Sequence, residues 1–222
     1  MYRIGIIDDN ITEVDDIQAT IYSVWKKNAD TPNEVDFKHY ALSADPNFKE
    51  KLLEELRHDI EQKTIQSLIV DYKLDSMRQV IEGKKIIEYL RGEVPLFPTV
   101  ILTNAPQGSK RENEIDPDKV YDKRTFFNLN VEDAEEMALN IYLNIKRYVT
   151  RRAELETEYA TAMDELTSRD NADTDIELLS KISRIESELG GYTFTDQTTV
   201  EKGLDLSELR EIIGELRMIE NM

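Results

Sequence analysis

Three runs of the chain, YRIGIID (Tyr2–Asp8), SLIVD (Ser67–Asp71) and PTVILTNA (Pro98–Ala105), are apolar at successive positions rather than at alternate ones. A strand of that kind has no face to turn to water, so it must lie in a sheet that is covered on both sides. Between these runs the periodicity becomes helical. Ile11, Val14, Ile17, Ile21 and Trp25 share one stripe, and Phe48, Leu52, Leu56 and Ile60 share another. A third helical segment, IEGKKIIEYLRG, stops at Gly92. With EVDFKHYALS as a second strand and KVYDK as a short fifth, strands and helices alternate. That alternation implies an α/β fold: a doubly wound, mostly parallel sheet with helices on both faces.

The 222 residues suffice for one large domain or for an ordinary domain with an extension. The absence of cysteine excludes a disulfide framework and thiolate chemistry. The N-terminus turns acidic after a few apolar residues, unlike a signal peptide, and no window is apolar for the length of a membrane span. These features predict a soluble, cytoplasmic protein without membrane contact. Net charge is −18, divided as −8 over residues 1–150 and −10 over residues 151–222. Phosphate backbones repel such a surface, so neither DNA nor RNA is an expected partner.

From Val131 the pattern changes. Ala134, Ala138, Ile141, Ile145, Tyr148, Arg152, Leu155, Tyr159, Ala162 and Leu166 alternate spacings of four and three, a heptad seam with Arg152 as its polar interruption. No Gly or Pro falls between Val131 and Ser168, which predicts one long helix, its first half on the sheet and its second half projecting. A further stripe of Ile176, Leu179, Ile182, Ile185 and Leu189 ends at Gly190 and Gly191, a C-cap signal. Asp205 and Glu208 form a capping box, with Leu204 stapling to Leu209, ahead of a last helix with Leu206, Leu209, Ile213 and Leu216 on its apolar face. The organisation expected is therefore an α/β domain over 1–150 and a helical coiled-coil or bundle region, for output or dimerisation, over 151–222.

The strand ends carry the chemistry. Asp8 and Asp9 end the first strand, Asp71 the third, Thr103 the fourth and Lys123 the fifth. Ligands of doubly wound sheets bind outside the carboxyl ends of the strands. Three carboxylates gathered there repel one another unless a cation joins them, and an all-oxygen donor set suits Mg²⁺. A lysine and a hydroxyl beside them suit phosphoryl transfer.

In this order, strand-DD, strand-D, strand-T and strand-K resemble the receiver domain of two-component response regulators, of the chemotaxis-regulator kind. IEGKKIIEYLRGEVPLFPTVILTNA is similar to that family's Gly-led third helix and Pro-preceded fourth strand. The resemblance covers about residues 1–150. It implies a flavodoxin-like five-stranded parallel sheet of order 2-1-3-4-5, followed here by an all-α extension. It implies Asp71 as phosphoacceptor, Asp8 and Asp9 as Mg²⁺ ligands with Asp71, and Lys73 as a ligand through its backbone carbonyl. Thr103 then matches the hydroxyl that moves toward the phosphoryl group, and Lys123 the lysine that pairs with it. The implied partners are a cognate sensor histidine kinase or phosphotransfer protein, and a protein target or a second copy through the C-terminal helices. The implied chemistry is self-catalysed phosphotransfer and dephosphorylation rather than turnover of a substrate.

Some positions depart from the family pattern. Arg124 follows the lysine where Pro is usual, and Val120 stands where the aromatic switch residue is usual. Tyr121, one residue on, belongs to the opposite sheet face. The segment after Thr103 lacks a helical stripe, and the stretches Asp9–Asp71 and Asp71–Gly83 are long for the family. A degenerate receiver that binds partners without phosphorylation and an Mg²⁺-dependent phosphohydrolase are the alternative readings. His39 and His58 read as surface or interface residues, and Asp75 and Asp122 as solvated.

Overall fold

A computed structural model describes residues 1–28, 31, 34–43, 45, 47–74, 83–104, 106, 117–168 and 172–194. Five strands form one sheet: β1 (Tyr2–Ile7), β2 (Val35–His39), β3 (Ser67–Asp71), β4 (Thr99–Thr103) and β5 (Val120–Asp122). All neighbours are parallel and the order is β2-β1-β3-β4-β5. This is the flavodoxin-like doubly wound order, with its reversal between β1 and β3. Because every strand runs the same way, Asp8, Asp71, Thr103 and Lys123 all emerge at one edge.

The continuous apolarity of β1 and β3 has a direct structural cause. Ile4, Ile6 and Ile69 face α1 (Ile11–Lys27) and the first half of α5 (Glu132–Ser168), while Ile7, Leu68 and Val70 face α2 (Phe48–Glu61) and α3 (Gly83–Glu93). Val14, Ile17, Ile21 and Trp25 are buried as their spacing predicts, but Ile11 is 60% exposed. Ile11 is the first residue of α1, beyond the end of β1, where no sheet remains to cover it. Asn10 caps that helix, its side chain accepting from the N–H of Thr12 at 3.1 Å. α3 runs one residue past Gly92, to Glu93.

The predicted long helix is present as the 37-residue α5. Its seam turns inward along its whole length. Ala134 is buried, Ala138, Ile141 and Ile145 pack with α1, and the indole N–H of Trp25 donates to the carbonyl of Ala138 at 3.0 Å. Leu155 and Ala162 pack with Leu178, Ile182 and Ile185 of α6 (Ala172–Leu189). The second half thus lies against α6 as an antiparallel hairpin, pinned by Arg151 to Glu188 at 2.7 Å and by the Tyr159 hydroxyl to Glu186 at 3.0 Å. The inward stripe of α6 begins at Leu178, not at Ile176. Ile176 lies two residues earlier, about 200° away around the helix, and is 68% exposed.

Gly190 and Gly191 do end α6, although no glycine among the described residues has a positive φ. The chain turns instead through bonds from Gly191 N–H to Glu188 and from Tyr192 N–H to Leu189, at 3.1 and 2.8 Å. Gly191 is required for another reason: a Cβ there would lie 2.8 Å from the Leu96 side chain. The turn delivers Tyr192 onto Tyr148, whose hydroxyl donates to the Tyr192 carbonyl at 2.9 Å. One apolar cluster therefore runs from Ile7 through Tyr148 to Phe194, and α5 crosses residue 150 without a break. The capping box at Asp205 and the stripe Leu206–Leu216 lie outside the described residues, as do Asp75 and most of the segment after Thr103.

Arg152, the polar member of the seam, is 7% exposed and reaches across to the end of α2. It donates to the carbonyl of Ile60 and to the Tyr148 hydroxyl, both at 3.2 Å, and pairs with Glu156 at 3.0 Å. It therefore sets the register of α5 against α2. Arg152→Ala is expected to lower unfolding free energy by about 2–3 kcal/mol, because it removes a charged donor from the Ile60 carbonyl, which keeps the Lys63 N–H at 3.2 Å, and from the buried Tyr148 hydroxyl. Arg151→Ala, on the exposed side of the same turn, should cost much less. Denaturant titration of the two variants at equal pH checks the ordering.

Candidate functional site

The parallel sheet brings Asp8, Asp9 and Asp71 together, with one carboxylate oxygen of each within 4.8 Å of the others. Asp8 and Asp71 are buried and Asp9 is half-buried. Asp8 lies just past β1 because Ile6 and Ile7 are buried on opposite faces and hold the strand in register. Its carboxylate accepts from the Asn10 N–H at 2.9 Å. Asp71 is the last residue of β3, in register with Leu102, which puts buried Thr103 one residue beyond it on β4. The backbone N–H of Lys73 bonds the Asp71 carboxylate, so the Lys73 backbone also lies at the site.

Lys123 opens the short α4 (Lys123–Phe126) and is 2% exposed. Its ammonium lies 2.8 Å from Asp8 and 3.1 Å from Asp71, and also contacts Glu13. Burial by itself lowers a lysine pKa, but the bonds to Asp8 and Glu13 and the charge of Asp71 outweigh it and hold Lys123 above its ordinary value. The acids are not compensated to the same degree. Burial pushes the Asp71 carboxyl up to about 6, with Lys123 opposing and Asp8 adding to the rise. Burial also raises Asp8, despite its bond to Lys123. Among the described residues, the Lys123 ammonium pairs with Asp8, Asp71 and Glu13, with an Asp9 carboxylate oxygen within 4.8 Å of those of Asp8 and Asp71; a hard divalent cation on the same oxygens would add positive charge where burial raises both pKa values. The donor set fits such an ion.

Every site residue named from the sequence lies at this edge. Glu13 is an addition. It stands in the first turn of α1, five residues after Asp8, and its position beside the strand-end acids was the available signal. His39 ends β2, and its Nε2 lies 3.1 Å from the carbonyl oxygen of Asp8. It is thus half-buried against the site rather than a surface residue, whereas His58 is exposed. Asp122 is not merely solvated: it caps α4, accepting from the Thr125 N–H at 3.0 Å, and so orients the helix that begins with Lys123.

The departures from the family pattern have structural counterparts. Val120 is buried with Ile101 on the α3 side, next to Tyr72 and Ile87. Tyr121 is buried on the opposite face with α1 and α5, where desolvation pushes its phenol up to about 12. Arg124 donates to the carbonyl of Asn104 at 3.3 Å, tying the turn after Lys123 to the residue after Thr103. Gly83 explains how a long excursion from Asp71 closes: the start of α3 returns so near that a Cβ would lie 2.0 Å from the Asp71 carbonyl oxygen.

No protein-family model matches the chain, and no curated protein matches it. One solved structure, of the Salmonella typhimurium RcsB response regulator and described for its conformational dynamism in DNA interaction, aligns over 88% of this chain and 94% of its own. The identity is 14% and the TM-score 0.37.

Two outcomes are expected. A folded-state pKa of about 6 for Asp71 lies above the unfolded value, so its charge destabilises the metal-free fold above pH 6 and not below pH 4. Asp71→Asn should therefore raise unfolding free energy in EDTA by on the order of 2–3 kcal/mol at pH 8, with the gain vanishing near pH 4. Denaturation of both proteins across that range reads it. Gly83→Ala should push the Asp71 backbone out of place, lowering Tm and weakening divalent-cation binding by calorimetry, while Gly92→Ala, in open space on the last turn of α3, should leave cation binding unchanged and should not lower Tm.

Proposed function

We propose that the chain is a response-regulator-like signalling protein that accepts a phosphoryl group on Asp71 and transmits its state through α5 and α6. The observation that carries this reading is the convergence of Asp8, Asp9 and Asp71, with Lys123 paired to Asp8 and Asp71, at the carboxyl edge of a 2-1-3-4-5 parallel sheet. Mg²⁺ held by Asp8, Asp9, Asp71 and the Lys73 carbonyl would neutralise phosphoryl oxygens at this edge.

The chain's own residues supply the rest. An oxygen of ionised Asp71 attacks the phosphorus of the donor, forming the acyl phosphate as the bond from phosphorus to the leaving oxygen breaks. Lys123, fixed by Asp8 and Glu13, offers its ammonium to a phosphoryl oxygen, and Thr103 offers its hydroxyl to another. The donor is a sensor histidine kinase or a phosphotransfer protein. Residues 1–150 act as the receiver and residues 151–222 as the output region, which binds a protein target or a second copy.

The output route differs from the usual one. Val120 has no ring to swing, whereas Tyr121 abuts α5 and Arg124 grips the residue after Thr103. Movement of Thr103 toward a phosphoryl group would therefore pull through Asn104 and Arg124 on α4, which packs against α5 through Phe126. Phosphorylation then biases the packing of the α5–α6 hairpin, a two-state element of this route.

Incubation with acetyl phosphate and Mg²⁺ should add one phosphoryl group to the wild-type chain by intact mass. It should add none to Asp71→Asn, and Lys123→Ala should slow the gain at least tenfold. Beryllofluoride should change oligomeric state, or amide-exchange protection of α5 and α6, in wild type alone. An unmodified wild-type chain would defeat the phosphoacceptor reading and favour a phosphorylation-independent interaction protein.

A further inference from the structure

At the opposite edge of the sheet a second feature stands apart from the carboxylates. A cavity of about 260 Å³ opens where β3 and β4 begin, between the sheet, α5 and the turn after α6. Its charged lining residues are Lys119, Arg147 and Arg151, and no Asp or Glu lines it. In a chain of 46 acidic and 28 basic residues, a cavity with cations alone is a departure from the bulk of the surface.

The three cations are not equivalent. Arg151 is held by Glu188, Glu154 and Glu158, so it forms a fixed rim. Arg147 and Lys119 have no carboxylate partner among the described residues. Arg147 lies one helical turn before Arg151 on α5, and Lys119 comes from the turn that leads into β5. Two elements therefore aim uncompensated charge at one space. The Asn144 amide joins them from the same face of α5.

Apart from Ser67 and Thr99, whose hydroxyls donate to backbone carbonyls, the rest of the lining is apolar or aromatic. Leu96, Val100 and Ile141 form one wall, and the stacked pair Tyr148 and Tyr192 another. Leu96 is held there by its N–H bond to the Gly191 carbonyl at 3.0 Å. The hydroxyl of Ser67 already donates to Pro98, so anion recognition falls to the two cations and the amide. The volume lies just under the usual range for ligand pockets, roughly 300–1,000 Å³, which excludes a dinucleotide and suits a metabolite-sized molecule. A guanidinium fork and an ammonium converging from two elements suit a doubly charged tetrahedral group.

We infer that this cavity is a binding site for a small phosphate monoester, with the phosphoryl group on Arg147 and Lys119 and the organic part against the Leu96 and Tyr192 walls. The site is independent of the phosphoacceptor reading, since it uses none of the strand-end acids. It has a position to influence the same output, because its walls are α5 and the turn that closes the α5–α6 hairpin.

Calorimetric titration of the full chain in EDTA with phenyl phosphate tests it, with phenol and inorganic phosphate as the two halves of the probe. Saturable binding of phenyl phosphate at least tenfold tighter than either half is expected. The Arg147→Ala, Lys119→Ala double variant should weaken it at least tenfold while keeping the wild-type melting curve, since Arg147 is exposed and Lys119 half-buried and neither is ion-paired. Asp71→Asn should bind as wild type does. Absence of saturable binding at millimolar probe, binding that survives the double variant, or binding lost in Asp71→Asn would each overturn the assignment.

Discussion

The Lys123 ammonium is the interaction on which the carboxyl edge of the sheet depends. A parallel sheet has no means of spreading its strand-end side chains apart, so Asp8, Asp9 and Asp71 are forced into one volume by the same register that buries Ile6, Ile69 and Leu102. Like charges at such separations are unfavourable in a partly desolvated setting. One buried lysine, reaching in from the start of α4, offsets part of this. It leaves Asp71 and Asp8 with raised pKa values, so the resting site remains short of positive charge. A site in that condition is poised for a cation. Its electrostatic incompleteness is what makes the phosphoryl-transfer reading a physical argument and not only a likeness of motifs.

Glu13 changes the balance in a specific way. As a third carboxylate on Lys123, it fixes the ammonium from the α1 side while Asp8 fixes it from below. Fixing a cation on two acids holds it where a phosphoryl oxygen on Asp71 would arrive, at the expense of local negative charge that such an oxygen must also meet. The two effects oppose each other.

Much of this was legible in the sequence, for reasons that can be named. Strands apolar at successive positions demanded cover on both faces, and Ile7, Leu68 and Val70 against Ile4, Ile6 and Ile69 are that cover realised. Parallel direction then brought the strand-end acids, Thr103 and Lys123 to one edge by topology alone. What escaped was set by contacts between segments distant in sequence. Glu13 and His39 carry no motif and matter only because α1 begins and β2 ends beside Asp8. Ile176 fits a helical stripe as well as Leu178 does, and only the partner helix decides between them. Gly190 and Gly191 read as a C-cap, but it is at Gly191 that a side chain would crowd Leu96.

The heptad seam shows how one pattern can satisfy two partners. Its spacing of four and three is what a coiled coil needs, yet here the first half meets the sheet and α1 while the second meets α6. The change of partner falls at Tyr148 and Arg152, two of the seam positions with polar side-chain atoms. Tyr148 bonds the turn after α6, and Arg152 bonds the end of α2. Apolar seam residues tolerate sliding, whereas these directional bonds do not, so they fix where sheet packing ends and hairpin packing begins. A shift of α5 along its axis would break both sets together. The two ends of the helix are therefore coupled through directional bonds, and a displacement of its first turns along the axis would strain the hairpin contacts as well.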